Sequence, residues 1–117
     1  MPTILPEDVT RLVRRVLTSP SAHASSDVRR AVYDHVAALT RNEPPSAAVP
    51  PVGEPFLRQV ALNAYTVLDR EVDAMRAAGS TTDDIFEMTV AAALSAGVTR
   101  MEIALAALEE VHDAPAS

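Results

Sequence analysis

Apolar positions along this chain recur at spacings of three and four, the helical period, and no stretch shows the two-residue alternation of a half-buried strand. Val9, Leu12, Val13, Val16 and Leu17 predict a first helix over 6–18, leaving Arg11, Arg14 and Arg15 mostly on its other side. Val28, Ala31, Val32, His35 or Val36, and Leu39 predict a second over roughly 27–40, with Ser26 as its cap. Five prolines, at 44, 45, 50, 51 and 55, then interrupt the pattern and predict an extended connection over 42–55. A long third helix is expected over 56–78, with Leu57, Val60, Ala61, Ala64, Leu68, Val72 and Met75 on one stripe. Gly79 is its natural stop.

The next stretch has no wet face. Thr81 and Asp84 form a variant capping box, and Asp83 and Asp84 put negative charge at the positive end of the helix that follows. From Met88 to Ala96 the only polar side chains are Thr89 and Ser95. A helix apolar on every side is normally enclosed by protein, which predicts a central buried helix over about 82–96. Gly97 is expected to end it. Thr99 and Glu102 read as a second capping box, opening a last helix to about His112 with Met101, Ala104, Leu105, Leu108 and Val111 facing inward. The expected fold is therefore an all-α bundle of about five helices. Its parts are an N-terminal helical pair (1–41), a Pro-rich linker (42–55), a helical core (56–112) and a short tail (113–117). Fourteen residues is long for a connection within a compact domain. The linker either crosses the outside of the bundle or separates an N-terminal arm from the main unit.

Composition narrows the chemistry. With 117 residues one domain is expected, and aromatics make up only 3%, so Ala, Val, Leu, Ile and Met must fill the core. The absence of cysteine excludes disulfides, thiolate metal sites and thiol nucleophiles. No apolar run reads as a membrane span and no signal-peptide core precedes the first helix, so a soluble cytoplasmic protein is expected. The net charge of −6 is uneven: residues 1–42 carry six Arg and four acids, whereas 43–117 carry four Arg and twelve acids. Such a balance argues against nucleic-acid binding, which depends on phosphate contacts. The Arg pairs at 14–15 and 29–30 are either an anion-binding patch or solvated helix faces.

The phrase Ala-Ala-Gly-Ser-Thr-Thr-Asp-Asp-Ile-Phe-Glu-Met-Thr-Val-Ala-Ala-Ala, residues 77–93, resembles the carboxymuconolactone decarboxylase and alkylhydroperoxidase D-like families. There a comparable segment follows the catalytic helix, and the likeness covers about half the chain. Those families carry a Cys-x-x-Cys-x-x-x-His motif on the preceding helix. Counting back from Gly79, its cysteine positions fall at Ala64 and Val67 and its histidine position at Glu71. The resemblance therefore implies the fold and a homo-oligomer (dimer, trimer or hexamer), while the missing thiols rule out peroxidase chemistry by the family's route.

What remains near that position is Tyr65, Asp69 and Glu71, with Asn63 just upstream. Tyr65 and Asp69 are one helical turn apart, and a phenol beside a buried carboxylate can serve acid–base catalysis. The alternative is that both carboxylates are solvated and Tyr65 bonds at a subunit contact. Glu87, on the otherwise apolar helix, needs a partner, for which Arg58, Arg70 and Arg100 are candidates. His35 reads as a core residue, and His23 lies in a loop. Glu109-x-x-His112 has the spacing of a di-iron half-site, but only one copy exists, so no metal is expected. No cofactor motif is present. Three readings follow: an oligomeric binding or accessory protein, a cofactor-independent acid–base enzyme on a small organic acid or lactone, and a protein-interaction module. The Arg-rich N-terminal helices add a small anionic ligand or a protein partner to the first two.

Overall fold

A computed structural model describes residues 5–20, 24–45, 49, 52–62 and 69–113. The described residues form five α-helices and no strand: α1 (Glu7–Thr18), α2 (Ser26–Thr40), α3 (Glu54–Leu62), α4 (Asp69–Ala77) and α5 (Thr82–Asp113). The all-α bundle is as the periodicity predicts. Its element boundaries differ at Pro55 and at Gly97, each for a physical reason.

The first two helices sit where the apolar stripes put them. Ser25 rather than Ser26 caps α2, its Oγ accepting the Val28 N–H at 3.2 Å. At the far end Asn42 takes a left-handed conformation, φ 58°. The Asn42 N–H donates to the Leu39 carbonyl at 3.1 Å and the Glu43 N–H to the Ala38 carbonyl at 2.9 Å. This is the Schellman arrangement, which satisfies carbonyls the helix would otherwise strand.

The first correction concerns Pro55. It lies inside α3, at the second residue, where the missing N–H has no helical partner to lose. The helix expected over 56–78 is described in two parts. The structure gives it as α3 and α4, and residues 63–68, which include Asn63, Ala64, Tyr65 and Val67, lie outside the described residues.

The turn from α4 to α5 is as the residues predict. Gly79 has φ 105°; its N–H donates to the Arg76 carbonyl and the Ser80 N–H to the Met75 carbonyl, both at 3.0 Å. Asp84 Oδ2 accepts the Thr81 N–H at 3.0 Å and Thr81 Oγ1 accepts the Asp84 N–H at 3.1 Å, closing the capping box.

The second correction is Gly97. It does not end α5, which runs unbroken for 32 residues. One glycine costs a helix only about 1 kcal/mol, and its neighbours are mostly strong helix formers. Thr99 is consequently no cap but a core residue, 1% exposed, and Glu102 pairs with Arg41 at 3.4 Å. The unbroken α5 is also long and apolar enough, over Thr82–Val111, to cross a membrane by length and composition, a length the sequence divided in two conceals.

One core joins the helices. Val32 and Val36 of α2, Leu57 and Ala61 of α3, and Met75 of α4 meet Ile85, Met88 and the Ala91, Ala92, Ala96 stripe of α5. Since α2 is part of this core, the connection after it links pieces of one unit. Within α5 the buried residues stop at Thr99. Phe86 is 66% exposed, Leu108 65% and Val111 75%; Ala104 and Met101 also face outward, and Leu105 is half-buried, against the inward orientation expected of them.

Two glycine substitutions should move stability in opposite directions, measured as chemical-denaturation midpoints. Gly79→Ala forces a side chain into the left-handed region and should cost about 1–2 kcal/mol. Gly97→Ala adds a methyl where no atom lies within 4 Å and should stabilise the chain by about 0.5–1 kcal/mol.

Candidate functional site

The sequence-predicted site residues do not assemble into a described centre. Tyr65 lies outside the described residues. Asp69 opens α4 and is exposed, whereas Glu71 is half-buried. Two positions apart on a helix, these carboxylates point about 200° away from each other, so they do not share a face. Glu71 Oε2 is nonetheless enclosed and has no hydrogen-bond partner among the described residues.

A cavity of about 290 Å³ opens elsewhere, where several helix ends meet. Ser25, the cap of α2, forms part of its rim, as do Val52 and Gly53 just before α3, and Ser80 and Asp84 at the start of α5. Its floor is apolar, built from Val28, Leu57, Met75 and Met88. Three helix N-termini therefore border one pocket, each with its partial positive charge, the caps of α2 and α5 taking the Val28 and Asp84 N–H groups. Asp84 offsets part of that field at α5, its carboxylate being drawn onto the Thr81 N–H. An apolar floor with a few polar groups at one end is the usual build of a small-molecule site.

The wall at Ala24–Ser25 is held by a buried cation. Arg29 is 4% exposed, and its guanidinium donates to the carbonyls of Val16 at 2.5 Å, Ser19 at 2.8 Å and Ala24 at 3.1 Å. It is thus spent on backbone, which removes it from the anion patch considered for the 14–15 and 29–30 pairs; Arg14, Arg15 and Arg30 are exposed. The Ala24 N–H donates in turn to the Glu87 carboxylate of α5. Glu87 therefore meets a backbone donor across the fold, where an arginine was expected. Together Arg29 and Glu87 fix the segment between α1 and α2 against α5.

Other polar residues lie apart from the cavity, among them His35, whose two ring nitrogens are enclosed with no hydrogen-bond partner among the described residues. His35 is 5% exposed, with Nε2 3.5 Å from Glu54 Oε1, while Arg58 holds the same carboxylate at 2.5 Å. Arg100 donates to the Ala61 carbonyl at 2.6 Å. Among the described residues no group of three His, Cys, Asp or Glu is placed to hold a metal; Glu109 is half-buried and the side chain of His112 is not described. Tyr33 of α2 has its hydroxyl pKa raised, first by burial and then by the charges of Glu102 and Asp34.

Sequence reasoning missed the cavity because no local pattern encodes it. Of its rim only Asp84 is legible as part of a cap; Ser25, Val52, Gly53 and Ser80 carry no such expectation, and only the packing brings those ends together.

Two substitutions test this local framework. Arg29→Ala strands three carbonyls in the α1–α2 connection and should lower unfolding free energy by about 2–4 kcal/mol in urea titration, with α5 helicity retained. Tyr33 retains its proton in the fold to higher pH than in the unfolded chain, so its contribution is fully present below about pH 10 and is lost as pH rises above that. A phenolate absorbance titration should show one tyrosine ionising late, and Tyr33→Phe should remove that step. No protein-family model, no curated protein and no solved structure matches this chain.

Proposed function

We propose that this chain is a thiol-free relative of the alkylhydroperoxidase D-like and carboxymuconolactone decarboxylase families that works as an oligomeric binding or accessory protein. The observation that carries the binding role is the cavity at the starts of α2, α3 and α5. Its floor suits a small apolar body, and its rim suits an oxygen acceptor such as a lactone or carboxylic acid carbonyl. Asp84 on the rim favours the neutral acceptor over the anion. The family relationship rests on residues 77–93, and the lack of cysteine removes the redox step that such a framework would otherwise support.

A second reading is a cofactor-independent acid–base enzyme using Glu71, with Tyr65 and Asp69 nearby in sequence. What favours it is the enclosed Oε2 of Glu71, which has no hydrogen-bond partner among the described residues.

Amide chemical-shift mapping with hexanamide and hexanoate as probes separates the two. Saturable shifts at Val28, Gly53 and Ser80 are expected, larger in affinity for the amide. Val28→Trp, which fills the cavity, should weaken binding at least tenfold. Shifts gathered around Glu71 and insensitive to Val28→Trp would favour the acid–base site. A panel of such probes with no saturable shift anywhere would end the binding reading.

A further inference from the structure

The fold leaves one long surface uncovered. In the first half of α5 it comprises Phe86, Val90, Ala93 and Gly97; in the second half it continues through Met101, Ala104, Leu108 and Val111. These residues follow one another at intervals of three or four. At about 100° per residue they fall within a band roughly 80° wide that keeps its line along the helix for about 37 Å. All eight are exposed. We propose that this face is the contact with a second copy of the chain, the two α5 helices lying antiparallel. The proposal shares the expectation of a homo-oligomer with the reading above, but it rests on α5 alone and is independent of the cavity.

Charge is the first argument for a copy of the same acidic chain. Seven carboxylates lie on α5. Six of them sit about 80° or more round the helix from the middle of the band, and only Asp83, in the first turn, is close to it. Arg100 lies at the band's margin, but its guanidinium is turned to the Ala61 carbonyl at 2.6 Å. A chain of net charge −6 thus offers its twin a face almost free of charge.

Shape is the second argument. An antiparallel two-fold relation sets Phe86 and Val90 of one copy against Val111 and Leu108 of the other. Ala93 then meets Ala104, and Gly97 meets Met101 on either side of the axis. Bulky residues meet at both ends, and in the middle each residue faces a small one, a self-complementary pattern of the kind an isologous contact requires. A parallel pair would instead stack Phe86 on Phe86, oppose Asp83 to Asp83 and align the two helix dipoles unfavourably. The antiparallel pair also lays the half of α5 beyond Thr99, which has no buried residue among those described, along the half of its twin that is anchored in the bundle.

The band is about 37 Å long and one helix wide, on the order of 400 Å² in projection, which is patch-sized for an interaction site. Stable interfaces cover about 800 Å² per partner, so a dissociation constant on the order of micromolar is expected.

Sedimentation of the full chain over a range of concentrations tests the proposal. The expected result is a species of twice 12.4 kDa that dissociates in the micromolar range. The double variant Phe86→Glu/Leu108→Glu alters exposed side chains only, and should be monomeric throughout with an unchanged helical circular dichroism. Because the chain has no cysteine, orientation can be read directly. Under mild oxidation Ala93→Cys chains should cross-link to Ala104→Cys chains in a mixture, while neither variant links to itself. A monomer at every concentration, self-linking of either single variant, or an oligomer that survives the two Glu substitutions would each overturn the proposal. So would binding of the chain to phosphatidylcholine–phosphatidylglycerol vesicles that those substitutions abolish, which would give the face to a membrane instead.

Discussion

Everything in this fold hangs on the close approach of α2 to α5. Along their contact α5 presents Ala91, Ala92, Ser95, Ala96 and Thr99, all small and all 3% exposed or less. Small residues bring the two backbones near enough for Ser95 Oγ to donate to the Tyr33 carbonyl of α2 at 2.6 Å. That hydrogen bond satisfies a hydroxyl that would otherwise be buried at a cost of about 1–3 kcal/mol. Larger aliphatics carry the packing where the helices diverge and α3 and α4 enter, with Leu57 and Met75 almost fully buried. A chain with two Phe, two Tyr and no Trp has few other ways to fill a core.

The second fastening is polar and local. Arg29 binds three carbonyls of the α1–α2 connection, and Glu87 takes the Ala24 N–H from across the fold. Without them the cavity would lose one of its walls, since Ala24 and Ser25 both line it. The rigidity of the site thus comes from residues that do not carry its chemistry.

Local signals in the sequence were legible because their physics is local. The Thr81–Asp84 box, the Gly79 stop and the stripes of α1 and α2 each depend on residues within a turn or two. The Gly97 break and the Thr99 cap were misread because a helix boundary is decided by sums. A glycine penalty of about 1 kcal/mol loses to the helix preference of the residues around it and to the burial of Ala96, Val98 and Thr99. Pro55 was misread as a breaker for the converse reason: at the start of a helix its defects cost nothing. The cavity was illegible altogether, since its lining is drawn from four helices distant in sequence.

The apolar character of α5 has a different meaning from the one its composition suggests. A helix with no wet face gives the sequence reader no phase, so complete burial is the natural inference. In the structure Ile85, Met88, Ala92 and Ala96 turn toward α2 and α3, while Phe86, Val90 and Ala93 turn away. Both faces are apolar, but they differ in grain. The buried face is dominated by alanine and serves close helix packing, whereas the outward one carries bulky residues at both ends and mixes small ones with Met101 between them. The five large residues on that outer face, exposed by 37–75%, stand in line with small ones along the whole helix, which is more than scattered surface leucines amount to. The absence of a polar face from Met88 to Ala96 is therefore the sum of two apolar faces, only one of which the monomer uses.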